Sequence, residues 1–186
     1  MSDTLETTRL LLRKVTPETY QEVFTRYTMA EAMAFFGCAS AEELQQEKQK
    51  LEGGLSTYRT SMLVFHLVEK SSGRTIGKCG YHTWYKEHAR AEIGYGLLCD
   101  SDKNKGFMKE AFMPVLQYGF NDMQLNRVEA LISPANEPSQ RLVLAHGFSR
   151  EGLLREHYCK NGRLEDSLVF ALLKKEFNIT PYQNNA

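Results

Sequence analysis

Apolar and polar residues alternate along the middle of the chain, which is the period expected of half-buried strands. The alternation predicts strands over residues 61–70, 75–85 and 91–98. The turn SSGR and the polar break KEHAR separate them, so we expect an antiparallel meander. Shorter apolar runs predict two further strands, over residues 9–14 and 127–132.

Two helices are predicted before the meander from their end signals. Thr16 followed by Pro17 is typical of a helix start, and the helix is expected to run to about Tyr27. Ser40 and Glu43 form an S-x-x-E capping box, which opens a mostly polar helix that ends at residues 53–54, a Gly-Gly pair.

The second half of the chain predicts two more helices and a hairpin. Pro138 opens a short helix that Gly147 closes, and Asn161 with Gly162 is typical of a two-residue turn between the last two strands. A longer helix contains Pro114, which is expected to kink it. The apolar residues that line one face of this helix are Phe107, Met108, Ala111, Phe112, Val115, Tyr118 and Gly119.

This order of elements predicts an α+β (mixed α/β) fold with about six to seven strands and about four helices. No repeat, linker or composition shift interrupts residues 1–186, so we expect one domain, with residues 178–186 as a frayed tail.

Composition narrows the function classes. The chain of 186 residues has 23 basic and 23 acidic residues, so no overall field attracts nucleic acid or an anionic membrane. Four scattered cysteines without a C-x-x-C pair, a polar N-terminus and the lack of a membrane-length apolar run predict a cytoplasmic protein with reduced thiols. No metal is expected, because the histidines and cysteines lack ligand spacing.

Residues 99–112, CDSDKNKGFMKEAF, gather three lysines and one glycine between a strand and a helix. Asn104 and Gly106 tolerate left-handed backbone best among these residues. Such a turn can direct backbone N–H groups at an anion in front of a helix N-terminus, which makes it a candidate phosphate site. A solvated lysine-rich surface turn is the alternative interpretation. A Walker P-loop is excluded because G-x-x-x-x-G-K-[ST] is missing.

Segments along nearly the whole chain resemble the GNAT superfamily of acyl-CoA N-acyltransferases, and within it the RimJ/RimL-like branch. They are, in order, LETTRLLLRKVTPE, IGKCGYH, AEIGYGLL, KNKGFMKEAF, NRVEALISPANEPSQRLVLAHGFSREGLLRE and NGRLEDSLVFALLKKEF. The resemblance implies an antiparallel-rich central sheet flanked by helices and an acetyl-CoA-dependent N-acetyltransferase. It also implies direct attack by a primary amine, either a protein N-terminus such as that of a ribosomal protein or a small amine.

The resemblance further implies which residues bind acetyl-CoA. The family's pyrophosphate pattern Q/R-x-x-G-x-G/A falls on residues 103–108, where Gly106 is kept and Met108 replaces the small final residue. Backbone N–H groups at about Leu97 and Leu98 are implied to polarise the thioester carbonyl. The implied binding residues are Leu97, Leu98, Lys103, Asn104, Lys105, Gly106, Phe107, Met108, Lys109, Asn136 and Ser139.

The resemblance also indicates candidates for proton transfer to the leaving sulfur. Many members use a tyrosine at the position that is Val143 here, whereas the RimL-like branch uses a serine three residues after the asparagine, which is Ser139. The Ser139 hydroxyl could assist the departing thiolate. Its alternative role is to cap the helix that starts nearby.

Glu92 is the first candidate for the general base, because some family members carry the catalytic carboxylate at this strand position. The alternative interpretation is an ion pair with Arg90 or another surface cation. Tyr158, His82 and His157 are further candidates. Because no base is obvious, we expect an α-amine of pKa about 7.7–8, which loses its proton more readily than a lysine-type amine near 10.4.

Two other functions remain open at this point. The altered turn and unclear base would also suit a non-catalytic acyl-CoA-binding sensor, while a protein-interaction module would have no affinity for CoA. Either a monomer or a homodimer is compatible with the sequence, since an edge strand offers a seam.

Overall fold

The computed structural model describes residues 4–52 and 61–177, and within these ranges the chain forms a mixed α+β fold, as predicted. The strands are β1 (Thr4–Glu6), β2 (Leu10–Val15), β3 (Ser61–Glu69), β4 (Thr75–Tyr85), β5 (Arg90–Leu97), β6 (Arg127–Ile132), β7 (Ser149–Lys160) and β8 (Arg163–Leu173). The helices are α1 (Pro17–Arg26), α2 (Met29–Phe36), α3 (Ala41–Glu52), α4 (Phe107–Asn121) and α5 (Glu137–Ala145).

All the strands belong to one sheet of order β1-β2-β3-β4-β5-β6-β8-β7. Every neighbouring pair is antiparallel except β5 and β6, which are parallel. These two strands pair only between Arg90–Glu92 of β5 and Arg127–Glu129 of β6. The rest of β5 diverges from β6, and this divergence opens the sheet where the candidate site lies.

One face of the sheet is covered by α4. The Tyr81 hydroxyl on β4 donates to the Val115 carbonyl of α4 over 2.8 Å. A side chain at Gly119 would overlap the Tyr81 ring, so glycine is needed for this close approach. Phe112 of α4 meets Tyr95 of β5 edge-on, with ring centroids 5.0 Å apart. These contacts fix α4, and therefore its N-terminus, against β4 and β5.

The opposite face carries α1–α3 over a second, smaller core. Tyr20 and Phe36 pack there with ring centroids 4.8 Å apart. Glu47 accepts hydrogen bonds from the Tyr20 hydroxyl at 2.8 Å and from Lys78 Nζ at 2.7 Å, which ties α1 and α3 to β4. His66 is fully buried beneath α2, and this burial lowers its pKa to about 3, so its ring is neutral.

The predicted element count was too low in two places. β1 pairs with β2 but has only three residues. A strand this short is too brief for an alternation of apolar and polar residues to reveal it. α2 was missed although the sequence carries its signal, a capping box in which Thr28 and Glu31 exchange hydrogen bonds.

The other predicted boundaries agree with the structure. Thr16 caps α1, and Asn161 and Gly162 have φ of 50° and 75°, as their two-residue turn requires. Pro114 lies inside α4, which continues to Asn121. The predicted stop at residues 53–54 lies outside the described residues.

Candidate active site

The lysine turn adopts the backbone expected of an anion-binding loop. Asn104 and Gly106 both have left-handed conformations, with φ of 60° and 79°. Gly106 is the N-cap of α4 and provides no side chain to cap it. The first-turn N–H groups of Phe107 and Met108 therefore remain for a ligand, and the helix dipole adds partial positive charge there.

Lys103 and Lys105 of this turn have acidic partners. Lys103 Nζ lies 2.5 Å from Asp100 Oδ1, and Lys105 Nζ lies 3.8 Å from Asp102 Oδ1. Arg9 binds the turn from outside by donating from Nη1 to the Lys105 carbonyl over 3.0 Å. The backbone of the turn is thus anchored, and the lysines contribute less uncompensated charge than their number indicates.

A cleft of about 580 Å³ lies between the diverging end of β5 and the first turns of α4 and α5. It brings together all the predicted acetyl-CoA-binding residues except Leu98 and Lys105. Sequence reasoning missed four lining residues, because only the fold brings them to the cleft. These are Tyr95, Gly96, Pro138 and Leu142.

The prediction that Leu98 supplies an N–H group to this cleft was wrong. The Leu98 N–H donates to the Ile76 carbonyl over 2.9 Å, because the β4–β5 ladder continues to this residue. Successive N–H groups of a strand point to opposite sides, so the Leu97 N–H points away from β4 and towards the cleft. Leu97 is therefore the available donor of the predicted pair.

The start of α5 forms the other wall of the cleft. Asn136 is the N-cap, and its Oδ1 accepts the Ser139 N–H over 3.2 Å. Asn136, and not Ser139, therefore caps the helix, which overturns the alternative role considered for the serine. Within residues 4–52 and 61–177 the Ser139 hydroxyl has no hydrogen-bond partner, while its carbonyl accepts a long 3.5 Å bond from Tyr95.

Glu92 lies at the last position where β5 still pairs with β6, on the sheet face that carries α1–α3. Arg90 is not the partner of Glu92, because Arg90 Nη1 binds Glu129 over 2.9 Å. Arg127 binds Glu129 as well, over 2.7 Å. Burial, and secondly the Glu129 charge, raise the pKa of Glu92 to about 7. Glu92 can therefore accept and release a proton near neutral pH.

The remaining base candidates differ in their distance from Glu92. His82 Nδ1 lies 3.7 Å from Glu92 Oε2. Burial, and secondly the Glu92 charge, raise the pKa of Tyr158 above its ordinary value, so this half-exposed phenol stays protonated and cannot act as a base. His157 is directed to Ser167, with Nδ1 and Oγ 3.1 Å apart. The structure thus groups Glu92, His82 and Tyr158, whereas Ser139 lies in the wall of the cleft.

Comparison with known proteins agrees with this geometry. Residues 9–149 match the family model of the acetyltransferase (GNAT) domain. The chain belongs to the GNAT acetyltransferase family.

Relatives of this acetyltransferase match along nearly their whole length. The uncharacterized N-acetyltransferase YoaA of Bacillus subtilis (strain 168) is 32% identical over 171 residues, covering 91% of this chain and 96% of the relative. The uncharacterized N-acetyltransferase p20 of Bacillus licheniformis is 34% identical over 177 residues, covering 94% and 98%.

Solved structures share the fold of the acetyltransferase at lower identity. A ribosomal-protein-S5-alanine acetyltransferase from Vibrio fischeri aligns with a TM-score of 0.67 and 21% identity, covering 95% of this chain and all of its own. The spermidine/spermine N-acetyltransferase SpeG from Vibrio cholerae aligns with a TM-score of 0.67 and 18% identity, covering 91% and 95%.

These findings confirm the GNAT resemblance and the prediction of an N-acetyltransferase, in a family that uses acetyl-CoA as the acyl donor. Among the described residues, no helix has both the length and the apolar character needed to cross a bilayer.

Proposed function

We propose that this acetyltransferase binds acetyl-CoA in the cleft beside β5 and transfers the acetyl group directly to a primary amine that approaches Glu92. One observation carries the proposal: the cleft joins the uncapped start of α4 to the unpaired end of β5. The first suits a pyrophosphate, and the second suits a carbonyl that gains negative charge.

The pyrophosphate would be held mainly by backbone groups. The N–H groups of Phe107 and Met108 start α4, and Gly106 in front of them has no side chain to obstruct the phosphates. Met108 lines the cleft and also packs against the main core, so part of its side chain is directed away from the phosphates. An acyl-CoA fits these groups although the side chains depart from the family pattern.

The thioester carbonyl would accept a hydrogen bond from the Leu97 N–H. This donor is fixed by the β4–β5 ladder, because its neighbour Leu98 is bonded to Ile76. A donor held in place needs no rearrangement as charge develops on the oxygen, and such groups commonly contribute a large part of the rate.

Glu92 would remove the proton from the acceptor amine. A base with a pKa of about 7 is well matched to work at neutral pH. Proton transfer from an α-amine of pKa about 7.7–8 to such a base is uphill by only about one unit, against more than three for a lysine-type amine. From the sequence alone, the preference for an α-amine followed from the lack of an obvious base. Here it follows from the pKa of Glu92, which lies closer to that of an α-amine than to that of a lysine-type amine.

The acceptor would be a monoamine, namely a protein N-terminus or a small amine. Strands β4–β6 carry two carboxylates on the sheet face of Glu92, namely Glu92 itself and Glu129. Glu129 is already bound by Arg90 and Arg127. Glu92 is left to meet the substrate, whereas a polyamine offers several cations. Proteins of the same fold are named for ribosomal-protein and for spermidine/spermine acetylation, so both acceptor types belong in the test.

Ser139 would assist the leaving sulfur. Its hydroxyl is not used for capping and lines the cleft, so it could donate a hydrogen bond to the thiolate. Tyr158, as a protonated phenol on the Glu92 side, could donate to the acceptor but could not deprotonate it.

The first test is thermal unfolding with and without acetyl-CoA. A ligand at 100 times its dissociation constant stabilises the folded state by about 2.7 kcal/mol, so a dose-dependent rise in Tm is expected. Turnover is then measured with a peptide bearing a free N-terminus, Nα-acetyl-lysine and spermidine, and the peptide should react best. Binding without turnover of any amine would favour the acyl-CoA sensor. No shift at millimolar acetyl-CoA would contradict the proposal and favour the interaction module.

A further inference from the structure

The His82 side chain lies over β5, where the lack of a side chain at Gly94 leaves space for its ring. It is the register partner of Glu92 across β4 and β5, and its Nδ1 lies 3.7 Å from Glu92 Oε2. A Cβ atom at Gly94 would lie 2.9 Å from both Cδ2 and Nε2 of the imidazole. A larger residue at position 94 would therefore push the ring away from its present place.

The residue after His82 has an unusual conformation that also bears on the ring. Thr83 has φ of 49°, which is a true outlier for a β-branched residue, and it lies in the irregularity between His82 and Tyr85. Its Oγ1 is 3.1 Å from His82 Nδ1. The hydroxyl can donate to a neutral ring nitrogen and accept from a protonated one. Backbone strain of this kind is concentrated at functional sites.

The other charged groups around Glu92 are poorly suited to take a proton from it. Arg90 and Arg127 are bound to Glu129, and Tyr158 on β7 is a protonated phenol. His82 differs in that its side chain is 43% exposed, against 12% for Glu92. It therefore connects the half-buried carboxylate with water.

We propose that His82 is a positioning residue that takes up, from Glu92, the proton removed from the acceptor ammonium and passes it to water. This proposal rests on the role of Glu92 in the proposed function. His82 would receive the proton on Nδ1 and release one from Nε2.

The proton balance requires such an exit. The ammonium gives one proton to the Glu92 carboxylate, and the nitrogen lone pair then forms the N–C bond. The C–S bond breaks with its electron pair on sulfur, and the second nitrogen proton neutralises the thiolate. One proton per turnover remains on Glu92 and has to leave before the next amine can be deprotonated. A partly exposed imidazole beside the carboxylate provides this route, and because burial lowers the pKa of His82, the ring passes the proton on to water and does not retain it.

The direct test is an NMR titration of the His82 imidazole, assigned by the loss of its signals in His82→Gln. In the wild type we expect two steps, because two interacting groups titrate as a pair. In Glu92→Gln a single step should remain. An unchanged His82 titration in Glu92→Gln would overturn the coupling. The NMR titration needs no acceptor amine, so it tests the coupling of His82 and Glu92 whether or not turnover is found.

The kinetic test compares His82→Ala and Gly94→Ala with the matched controls His88→Gln and Gly152→Ala, using the peptide amine. His88 is exposed in the neighbouring turn, and a Cβ at Gly152 would meet nothing within 4 Å. We expect kcat to fall about tenfold in both test variants with the KM for acetyl-CoA unchanged. Added imidazole should restore part of the rate of His82→Ala but none of that of Glu92→Gln.

Two results would contradict the assignment: full kcat in His82→Ala, or a loss that imidazole does not reduce and that is accompanied by weaker acetyl-CoA binding. A wild type that turns over no amine would instead contradict the proposed function, while the NMR titration would still decide the His82–Glu92 coupling.

Discussion

The cleft proposed to bind acetyl-CoA and the face that carries Glu92 use different stretches of the same strand, β5, and they present different kinds of groups. Towards the cleft, the chain directs backbone N–H groups of Leu97 and of the first turn of α4. Around Glu92, it directs titratable side chains, among them His82, whose Nδ1 lies 3.7 Å from Glu92 Oε2.

This difference predicts how each region responds to change. Backbone donors do not titrate and are present whatever the side chain, so the proposed cradle tolerates the departure of Lys103 and Met108 from the family pattern. A carboxylate and an imidazole respond to pH and are lost by one substitution. Donor binding and turnover should therefore be separable by experiment.

The largest effect is expected from Glu92→Gln, which keeps the shape of the side chain and removes its basicity. General bases commonly contribute about 10²–10⁴-fold, so kcat/KM for the peptide amine should fall by that order. In the wild type, kcat/KM should rise with pH through about 7 as Glu92 ionises. Both are measured by release of CoA thiol at several pH values.

Glu87→Gln is the matched control, because this exposed glutamate lies in the turn between β4 and β5. It should leave the pH profile unchanged. Equal losses in the two variants would mean that general surface charge, and not the Glu92 base, sets the rate.

Gly106→Ala tests the backbone side of the comparison. Gly106 has φ of 79°, where an L-residue costs about 1–2 kcal/mol, and relief of this strain would misplace the first N–H groups of α4. We expect the dissociation constant of acetyl-CoA to rise by about tenfold. Gly162→Ala introduces the same strain, at φ of 75°, in the turn between β7 and β8, which does not line the cleft. Both should lower stability similarly, and weaker binding in both would refute a specific role for Gly106.

Ser139→Ala should have a smaller effect on turnover. A thiol of pKa about 8.5 leaves readily as thiolate, so losing a hydrogen bond to it should cost less than losing the base, about threefold to tenfold in kcat. The titration of acetyl-CoA should be unchanged. A loss as large as that of Glu92→Gln would show that departure of the sulfur limits the rate.

The smallest effect concerns stability. The folded-state pKa of Glu92, about 7, lies above its ordinary value of 4.5, so the wild type loses stability as pH rises between these values. Glu92→Gln cannot ionise, and its stability relative to the wild type should increase by about 1 kcal/mol from pH 5 to pH 8, allowing for solvent screening. Urea unfolding at both pH values measures this. A constant difference would mean that Glu92 has an ordinary pKa.

Much of the donor side could be predicted from the sequence because its signals are local. The start of α5 near Pro138 and the turn of Asn104 to Gly106 each lie within a few consecutive residues, so spacing alone indicates them. The Leu98 error arose because a shift of one residue reverses the side to which a strand N–H points.

The acceptor side could not be predicted in the same way. The approach of His82 to Glu92 depends on the register of β4 with β5, and the pairing of Arg90 with Glu129 depends on where β5 meets β6. Neither register can be predicted from a pattern of neighbouring residues in the sequence. The irregularity at Thr83 is likewise a property of the folded sheet.

The separation of donor binding from proton transfer is tested most directly by calorimetric titration of acetyl-CoA into the wild type and Glu92→Gln at one pH. The account predicts dissociation constants that agree within about twofold, although the variant has lost nearly all turnover. Much weaker binding to Glu92→Gln would contradict it, because Glu92 would then belong to the donor site.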